Sequence, residues 1–248
     1  MKKKRIRSNS NSKSIKTHLM CVIGIGLATV FIVGGIYLSH FISLRFSTVS
    51  SVYFEAVAEQ NVREVKLELL SAYDQCRSLS NTLSLFEEIP AEDRRSFFKK
   101  TLENLIRADN NYISVWTCWE ANALDSLDSL YAGTNGTDAT GRFIPNWTKM
   151  GAFVNEEVLQ DYTGANWYTK PMFNKTGIIG EPETRVVQGQ PVFCCTVSFP
   201  IRSSNGTPVG AVGIVFSLER LETLLGSIIL YDSGYLSLIS AEGANVIA

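Results

Sequence analysis

The most constraining feature of the sequence is an apolar run near its start. It covers residues 19–44, "LMCVIGIGLATVFIVGGIYLSHFISL", and contains no Asp, Glu, Lys or Arg. A helix that crosses the hydrocarbon core of a bilayer needs about 20 apolar residues. A cleaved signal peptide has a shorter apolar segment, of about 7–15 residues, followed by a small-residue cleavage site. The run therefore predicts a transmembrane helix over 19–44 rather than a signal peptide or a buried core helix.

The charges on the two sides of this run predict its orientation. Residues 1–18 carry seven basic residues and no acidic one, whereas only Arg45 follows the run closely. The positive-inside rule places such a basic tail in the cytoplasm, where it is also attracted to anionic membrane lipid. We therefore expect a bacterial inner-membrane protein whose residues 45–248 lie outside. We expect no nucleic-acid partner, because the basic residues are explained as a flank of the span.

A long helix is predicted directly after the span. Apolar residues recur at spacings of three and four, and no Pro or Gly occurs from Val49 to Phe86. A helix of that length reaches about 55 Å at 1.5 Å per residue, more than one compact module of this size can cover. Part of its apolar face must pack on a second chain, as in a homodimer, or on a further module. The apolar positions are Val62, Val65, Leu69, Tyr73, Cys76, Leu79 and Leu83.

The remainder of the chain predicts an α+β fold. "EEIPAEDRR" ends the long helix, and a second helix buries Phe98, Leu102, Leu105 and Ile106. The β-branched and aromatic "YISVWTCW" predicts a strand, followed by a polar loop over 120–140 whose acidic residues we expect to be solvated. "GRFIPNWTKMGAF" predicts another strand, interrupted near Pro145.

The second half of the chain continues the sheet. "GANWYTKPMFNKTG" predicts a short helix that stops at a glycine, and the next segment predicts three strands joined by Gln-Gly and Asn-Gly turns. Ser217 can cap a closing helix through Leu221, Leu224 and Leu225, and "SGYLSLISAEGANVIA" predicts half of a second sheet. These elements predict an antiparallel meander with its helices packed against one face.

The residue inventory argues against catalysis. The two histidines, His18 and His40, flank or lie within the span, so the outer part has no His-based nucleophile or zinc site. The Asp-rich loop lacks the spacing of a calcium site, and no glycine motif for phosphate follows a strand. We predict a protein that is not an enzyme and has no cofactor or metal. Cys194 and Cys195 point to opposite faces of a strand. Buried free thiols are favoured, although a Cys118 pairing with either of them stays open.

Aromatic and polar residues near strand ends predict a binding site instead. Small-ligand pockets combine an aromatic lining with a few oriented polar groups. The alternative is that most of the tryptophans fill the core. The candidate ligand-binding residues are Trp116, Arg142, Trp147, Trp167, Tyr168, Glu183 and Arg185.

Four segments in this order carry a resemblance to a known family: "GRFIPNWTKMG", "NWYTKPMFNKTG", "GEPETRVVQGQPVFCCTVSFPI" and "GTPVGAVGIVFSLERLETLL". Over residues 45–248 the sequence resembles the double Cache domain, the extracytoplasmic sensor of methyl-accepting chemotaxis proteins and of some sensor kinases and cyclases. The resemblance implies a membrane-distal, PAS-like ligand-binding module over 45–230. It also implies that 231–248 begins a membrane-proximal module and that the chain is a piece of a longer receptor.

The resemblance also bears on the ligand. Family members that bind amino acids hold the ligand carboxylate with an Arg two residues before a Trp-Tyr pair, and the amino group with an Asp in the last strand. Here these positions are Ala165 and Val215. Glu183 and Arg185 are candidates for replacement contacts to a carboxylate or an amino-acid-like metabolite.

The resulting prediction is a small-molecule sensing domain of a transmembrane chemoreceptor. One alternative is the input domain of a histidine kinase or diguanylate cyclase. A second is a membrane-tethered adhesion or structural module.

Overall fold

The computed structural model describes residues 11–226, 237–240, 243 and 245–247. The chain divides into two compact units, residues 1–60 and residues 61–248, and we call the second unit the head. Helix α1 (Asn11–Leu83) runs from the first unit into the head, which confirms the long helix predicted after the apolar run. The helix contains one segment of mean hydropathy 2.5, long and apolar enough to cross a membrane.

The described residues of the head form three further α-helices and two antiparallel sheets. The helices are α2 (Ala91–Ala108), α3 (Asn166–Asn174) and α4 (Glu219–Gly226). The strands are β1 (Tyr112–Trp119), β2 (Pro145–Met150), β3 (Phe153–Val158), β4 (Ile178–Ile179), β5 (Glu183–Val187), β6 (Gln190–Arg202), β7 (Pro208–Ser217), β8 (Leu238–Ile239) and β9 (Asn245–Ile247). The α+β prediction is confirmed.

The large sheet has the order β3-β2-β1-β7-β6-β4, and β5 also pairs with β6. Strand β1, the first along the chain, therefore lies inside the sheet, between β2 and β7. The predicted simple meander is wrong. The predicted turns are confirmed. Gln188 and Gly189 have φ of 48° and 82° between β5 and β6, and Gly206 has φ of 82° between β6 and β7. Both φ values at the first turn are positive, as a two-residue hairpin turn requires.

Helices cover both faces of this sheet, so the prediction that they pack on one face is wrong. We call one side the α1 face, where Val115 and Trp119 of β1 join the buried residues of α1 and α2. The other is the α3 face, where Trp116 and Cys118 of the same strand join Tyr168 of α3. The reason is the sheet order. β3 and β4 lie at opposite edges, so the chain between them must cross the sheet, and α3 lies in that crossing.

Two local predictions are corrected by the backbone. Pro145 begins β2 instead of interrupting it, a position where proline removes no needed sheet donor. The chain turns at Gly151, whose φ is 59°. α3 ends with Lys175 in the left-handed region, not at a glycine. Gly177 has another reason to lack a side chain, because a Cβ there would lie 2.2 Å from the Phe199 ring.

The acidic loop after β1 is not uniformly solvated, which corrects another prediction. Arg95 of α2 is 5% exposed, and its Nε donates to Oδ2 of Asp125 at 2.6 Å. Its Nη2 donates to Asp125 at 3.0 Å and to Asp128 at 2.6 Å, and its Nη1 donates to the carbonyl of Gly141 at 2.8 Å. The guanidinium also lies 4.3 Å from the centre of the Tyr131 ring. This buried cluster fixes the loop to α2.

The cysteines of the head are free and buried, as favoured from the sequence. Cys194 faces the α3 side and Cys195 the α1 side, so their predicted opposite orientation is confirmed. Cys118 is also a free thiol. Burial raises the pKa of Cys194 to about 11 and that of Cys118 to about 12.

Two predictions for the end of the head are confirmed. The Ser217 hydroxyl accepts a hydrogen bond from the Glu219 amide at 3.1 Å, and α4 follows directly. β8 and β9 pair antiparallel, with Gly243 at φ 84° between them. Residues 233–236, the start of the predicted strand, lie outside the described residues.

Candidate functional site

Two tryptophans form the centre of the α3 face. The rings of Trp116 on β1 and Trp167 on α3 lie 4.7 Å apart at 61°, an edge-to-face contact. The Trp116 ring lies directly over Gly213 of β7, because a Cβ at this glycine would be 2.2 Å from Cζ2. Ser198 of β6 donates to the carbonyl of Trp167 at 2.6 Å. These contacts hold α3 on the sheet.

A charged pair lies beside Trp167. Glu183 and Arg185 are two residues apart on β5, so their side chains leave the strand on the same side. Nη2 of Arg185 is 2.6 Å from Oε1 of Glu183, and its guanidinium carbon lies 5.4 Å from the centre of the Trp167 ring. Both side chains are partly exposed, at 24% for the arginine and 46% for the glutamate. They are therefore accessible to a solute.

A second polar cluster holds the same end of α3 through Tyr168, the residue after Trp167. Nη2 of Arg142 donates to the Tyr168 hydroxyl at 2.7 Å, and that hydroxyl donates to the carboxylate of Glu120. Nε of Arg142 donates to the carbonyl of Trp119, and its guanidinium carbon lies 4.9 Å from the Tyr162 ring centre. Burial, with the nearby Cys118 thiol and the bond to Glu120, raises the pKa of Tyr168 well above its usual value.

A row of hydroxyl side chains surrounds Val215 on the same face. Val215 pairs in register with Ser114 of β1 and Thr196 of β6, and Ser114 pairs in turn with Thr148 of β2. Val215 is fully buried. Oγ1 of Thr196 is also buried and, within the described part of the chain, has no hydrogen-bond partner. The position that the family resemblance associates with an aspartate is therefore apolar but bordered by polar groups.

The β5–β6 hairpin bends over this face. Val187, at its turn, is 6% exposed and packs among the α3-face residues. The next residue, Gln188, donates from Nε2 to Thr148 Oγ1 at 3.2 Å. β2 and β6 are separated by two strands within the sheet, so this bond indicates strong curvature. The curved sheet, the hairpin and α3 together enclose the aromatic centre.

The structure brings together six of the seven predicted site residues on or around the α3 face. They form two groups: Trp116, Trp167, Glu183 and Arg185, and Arg142 with Tyr168. Trp147 does not join them, because it packs against the buried cluster of the α1 face. Its place follows from register, since it pairs with Val115 of the α1 face. Glu120 and Tyr162 were missed, since no spacing in the sequence links them to α3.

The described residues do not contain a cluster of three or more His, Cys, Asp or Glu side chains that could hold a metal ion. The arrangement on the α3 face offers hydrogen bonds, one ion pair and aromatic surfaces. These are groups that can orient and contact a small molecule.

Comparison with known proteins identifies the kind of domain. Residues 129–223 match the family model described as methyl-accepting chemotaxis protein-like, first PDC sensor domain. A curated relative, methyl-accepting chemotaxis protein TlpQ of Pseudomonas aeruginosa, is 21% identical over 213 residues. That match covers 76% of this chain but only 30% of the relative. The predicted resemblance to a Cache-type sensor domain is confirmed.

Solved structures agree on the fold. The extracellular domain of mmHK1S-Z3, described as a candidate histidine kinase, is 25% identical with a TM-score of 0.66 and covers 75% of this chain and 65% of its own. The ligand-binding domain of the P. aeruginosa amino-acid chemoreceptor PctC, in complex with GABA, has a TM-score of 0.57 at 18% identity, over 79% of this chain and 74% of its own. The ligand-binding domain of Mlp24 with asparagine has a TM-score of 0.54 at 17% identity, and the match covers 81% of this chain and 71% of its own.

Proposed function

We propose that the head is the small-molecule sensing domain of a membrane-anchored chemoreceptor, and that its ligand binds on the α3 face. The observation that carries the proposal is the pair Glu183–Arg185 held beside Trp167, which in turn contacts Trp116. An accessible ion pair beside two aromatic rings in edge-to-face contact provides both orientation and apolar contact. The chemoreceptor relatives support the sensing role.

The side chains favour a ligand with one polar or charged end and an apolar or planar body. The PctC and Mlp24 domains were solved with GABA and asparagine, which makes amino-acid-like metabolites the first class to test. Ala165 and Val215 cannot supply charged contacts, and burying an unpaired ammonium or carboxylate is costly. We therefore assign the polar end of the ligand to Glu183 and Arg185.

The signal is proposed to leave the head through α1. Within the head this helix exposes apolar side chains that a second copy can cover: Val62 and Leu67 are 62% and 67% exposed, and Leu70 is 41% exposed. We propose a homodimer through this surface, in which ligand binding shifts packed helices by a small displacement. Residues 1–18 form the cytoplasmic tail, 19–44 the membrane span, 45–230 the ligand-binding module, and 231–248 the start of a second module.

The ligand test uses the full chain in lipid nanodiscs and a panel of amino acids, amines and carboxylates. A compound that binds the folded head raises its melting temperature. For each compound that does so, Arg185→Ala should weaken the affinity at least tenfold, measured by calorimetry. Arg77→Ala is the matched control, because Arg77 forms an exposed ion pair with Asp74 on α1. Unchanged affinity in Arg185→Ala would remove the site assignment.

A second candidate function has support from one observation. The mmHK1S-Z3 domain comes from a candidate histidine kinase, so the same sensing head also fits the input of a kinase. An adhesion module without a ligand would instead show no change in melting temperature with any compound of the panel.

A further inference from the structure

A cleft in the described head is separate from the residues of the proposed site. It has a volume of about 780 Å³ and lies between α4 and the end of the sheet where β1 begins and β2 ends. None of the seven predicted binding residues lines it. Ser217 at its border lies two positions beyond Val215 on β7, so the cleft begins where the hydroxyl row ends.

The lining combines an apolar wall with cationic groups. Ile113, Met150 and Val192 form the wall, and Lys149, Arg220 and Glu219 are the charged residues of the lining. The Lys149 ammonium donates to the carbonyls of Ile106 and Asp109, at 3.2 and 3.1 Å, and to Oδ1 of Asn110 at 2.9 Å. Its three donors are satisfied, so its positive charge is held at the cleft without needing a further partner.

Arg220 differs from Lys149 because its guanidinium is available. The side chain is 68% exposed, and its ion pair is a 3.6 Å contact with Oε2 of Glu68. A guanidinium has five N–H donors and binds a carboxylate in a bidentate manner. Because Arg220 is largely exposed and its pairing with Glu68 is a long contact, an anionic group can bind the guanidinium in the cleft, and the apolar wall favours a short hydrocarbon body.

The same cleft is joined to α1 through one residue. Glu68 of α1 accepts a hydrogen bond from Nδ2 of Asn111, which lines the cleft, and it also pairs with Arg220. A carboxylate that binds Arg220 competes directly with the Glu68 carboxylate. Its binding therefore weakens the ion pair that joins α4 to α1.

We propose that this cleft is a second ligand site, which takes a small carboxylate with a short apolar body and draws Arg220 away from Glu68. The inference goes beyond the proposed function, because it places a ligand in a separate cleft at the end of the sheet, lined by none of the seven predicted residues. It also gives that ligand a direct route to the helix that leaves the head.

The test uses 4-methylpentanoate as the probe, 4-methylpentanamide as its neutral control, and the full chain labelled with ¹³C at the methionine methyls in nanodiscs. Met150 lines the cleft and Met172 lies on α3, so the two signals distinguish the sites. Met20 lies in the apolar run and reports entry of the probe into the lipid. We expect a saturable shift of Met150 with the carboxylate, at least tenfold weaker binding of the amide, and no shift of Met172.

Two variants complete the experiment. Arg220→Gln should lower the affinity for the carboxylate probe at least tenfold, whereas Arg77→Gln should leave that affinity unchanged. Glu68→Gln removes the competing charge and should tighten binding severalfold. A Met150 signal that stays unmoved at 10 mM probe overturns the second site. A shift of Met172 alone overturns it too but leaves the α3-face site standing. A Glu68→Gln affinity equal to wild type removes the link to α1.

Discussion

Gly213→Ala is the sharpest test of the α3 face. A Cβ at this position would lie 2.2, 2.4 and 2.8 Å from Cζ2, Cε2 and Nε1 of Trp116. Ordinary contact begins at 3.4 Å, so the ring must move by about 1.2 Å. It has little room to do so, because Trp116 is fully buried and its other neighbour is the Trp167 ring at 4.7 Å.

The magnitude follows from two opposing effects. Overpacking a well-filled core costs about 1–3 kcal/mol, and the rigid indole places this site at the upper end. Replacing a strand glycine by alanine returns about 0.5–1 kcal/mol of backbone entropy. We therefore expect a net loss of about 2 kcal/mol in the free energy of unfolding. At a slope of about 2 kcal/mol per M, the urea midpoint falls by about 1 M.

Urea unfolding of the full chain in detergent, followed by tryptophan fluorescence, measures this loss. All four tryptophans lie in the head, so the signal does not depend on the apolar run. Gly226→Ala is the control, since a Cβ there meets nothing within 4 Å in the described structure. Trp116→Leu should remove most of the cost of Gly213→Ala in a double-mutant cycle. A midpoint within 0.2 M of wild type, or an equal cost in both backgrounds, would refute the packing argument.

Three further predictions follow from buried groups of the head. Arg95→Met leaves two buried carboxylates unpaired and should cost about 3–5 kcal/mol in urea unfolding, whereas Lys100→Met, at an exposed pair, should cost under about 0.5 kcal/mol; equal effects would contradict the cluster. Burial raises the pKa of the Cys194 thiol from 9.0 to about 11, so the folded state holds its proton more tightly than the unfolded chain does. Stability should therefore fall as the pH rises from 9 towards 11. Cys194→Ala should make this fall shallower without abolishing it, because the raised pKa of Cys118 contributes over the same range; unfolding at stepped pH measures the difference. Ser198→Ala leaves the carbonyl of Trp167 without its donor and should cost about 1–3 kcal/mol; a loss below about 0.3 kcal/mol would indicate that water replaces the hydroxyl.

Local patterns in the sequence predicted the individual elements of the head well. Helical spacing identified Phe98, Leu102 and Ile106 as the buried side of α2, and all three are fully buried. Turn chemistry identified the hairpin at Gln188 and Gly189. These predictions succeed because the signal and the structure lie within the same few residues.

The failures that change the architecture and the site involve partners that are distant in the sequence. Arg95 and Asp125 are 30 residues apart, so neither segment shows that the other will neutralise its charge. The side of the sheet that Trp147 faces depends on its pairing with Val115, and a shift of one residue in that register would reverse it. The crossing that carries α3 to the second face depends on the order of the strands in the sheet. Neither the periodicity of apolar residues nor the composition encodes that order.

The separation of the four thiols of the head has a consequence for biogenesis. If the head is exported, it enters an oxidising compartment as an unfolded chain with Cys194 beside Cys195. Thiolate attack on oxidants requires access, and the completed β6 encloses these two thiols on opposite sides of the sheet. Native structure thus protects against mispaired bridges only after the sheet has formed. Slowly folding variants should accumulate as oxidised, trapped chains that a reductant in the growth medium restores.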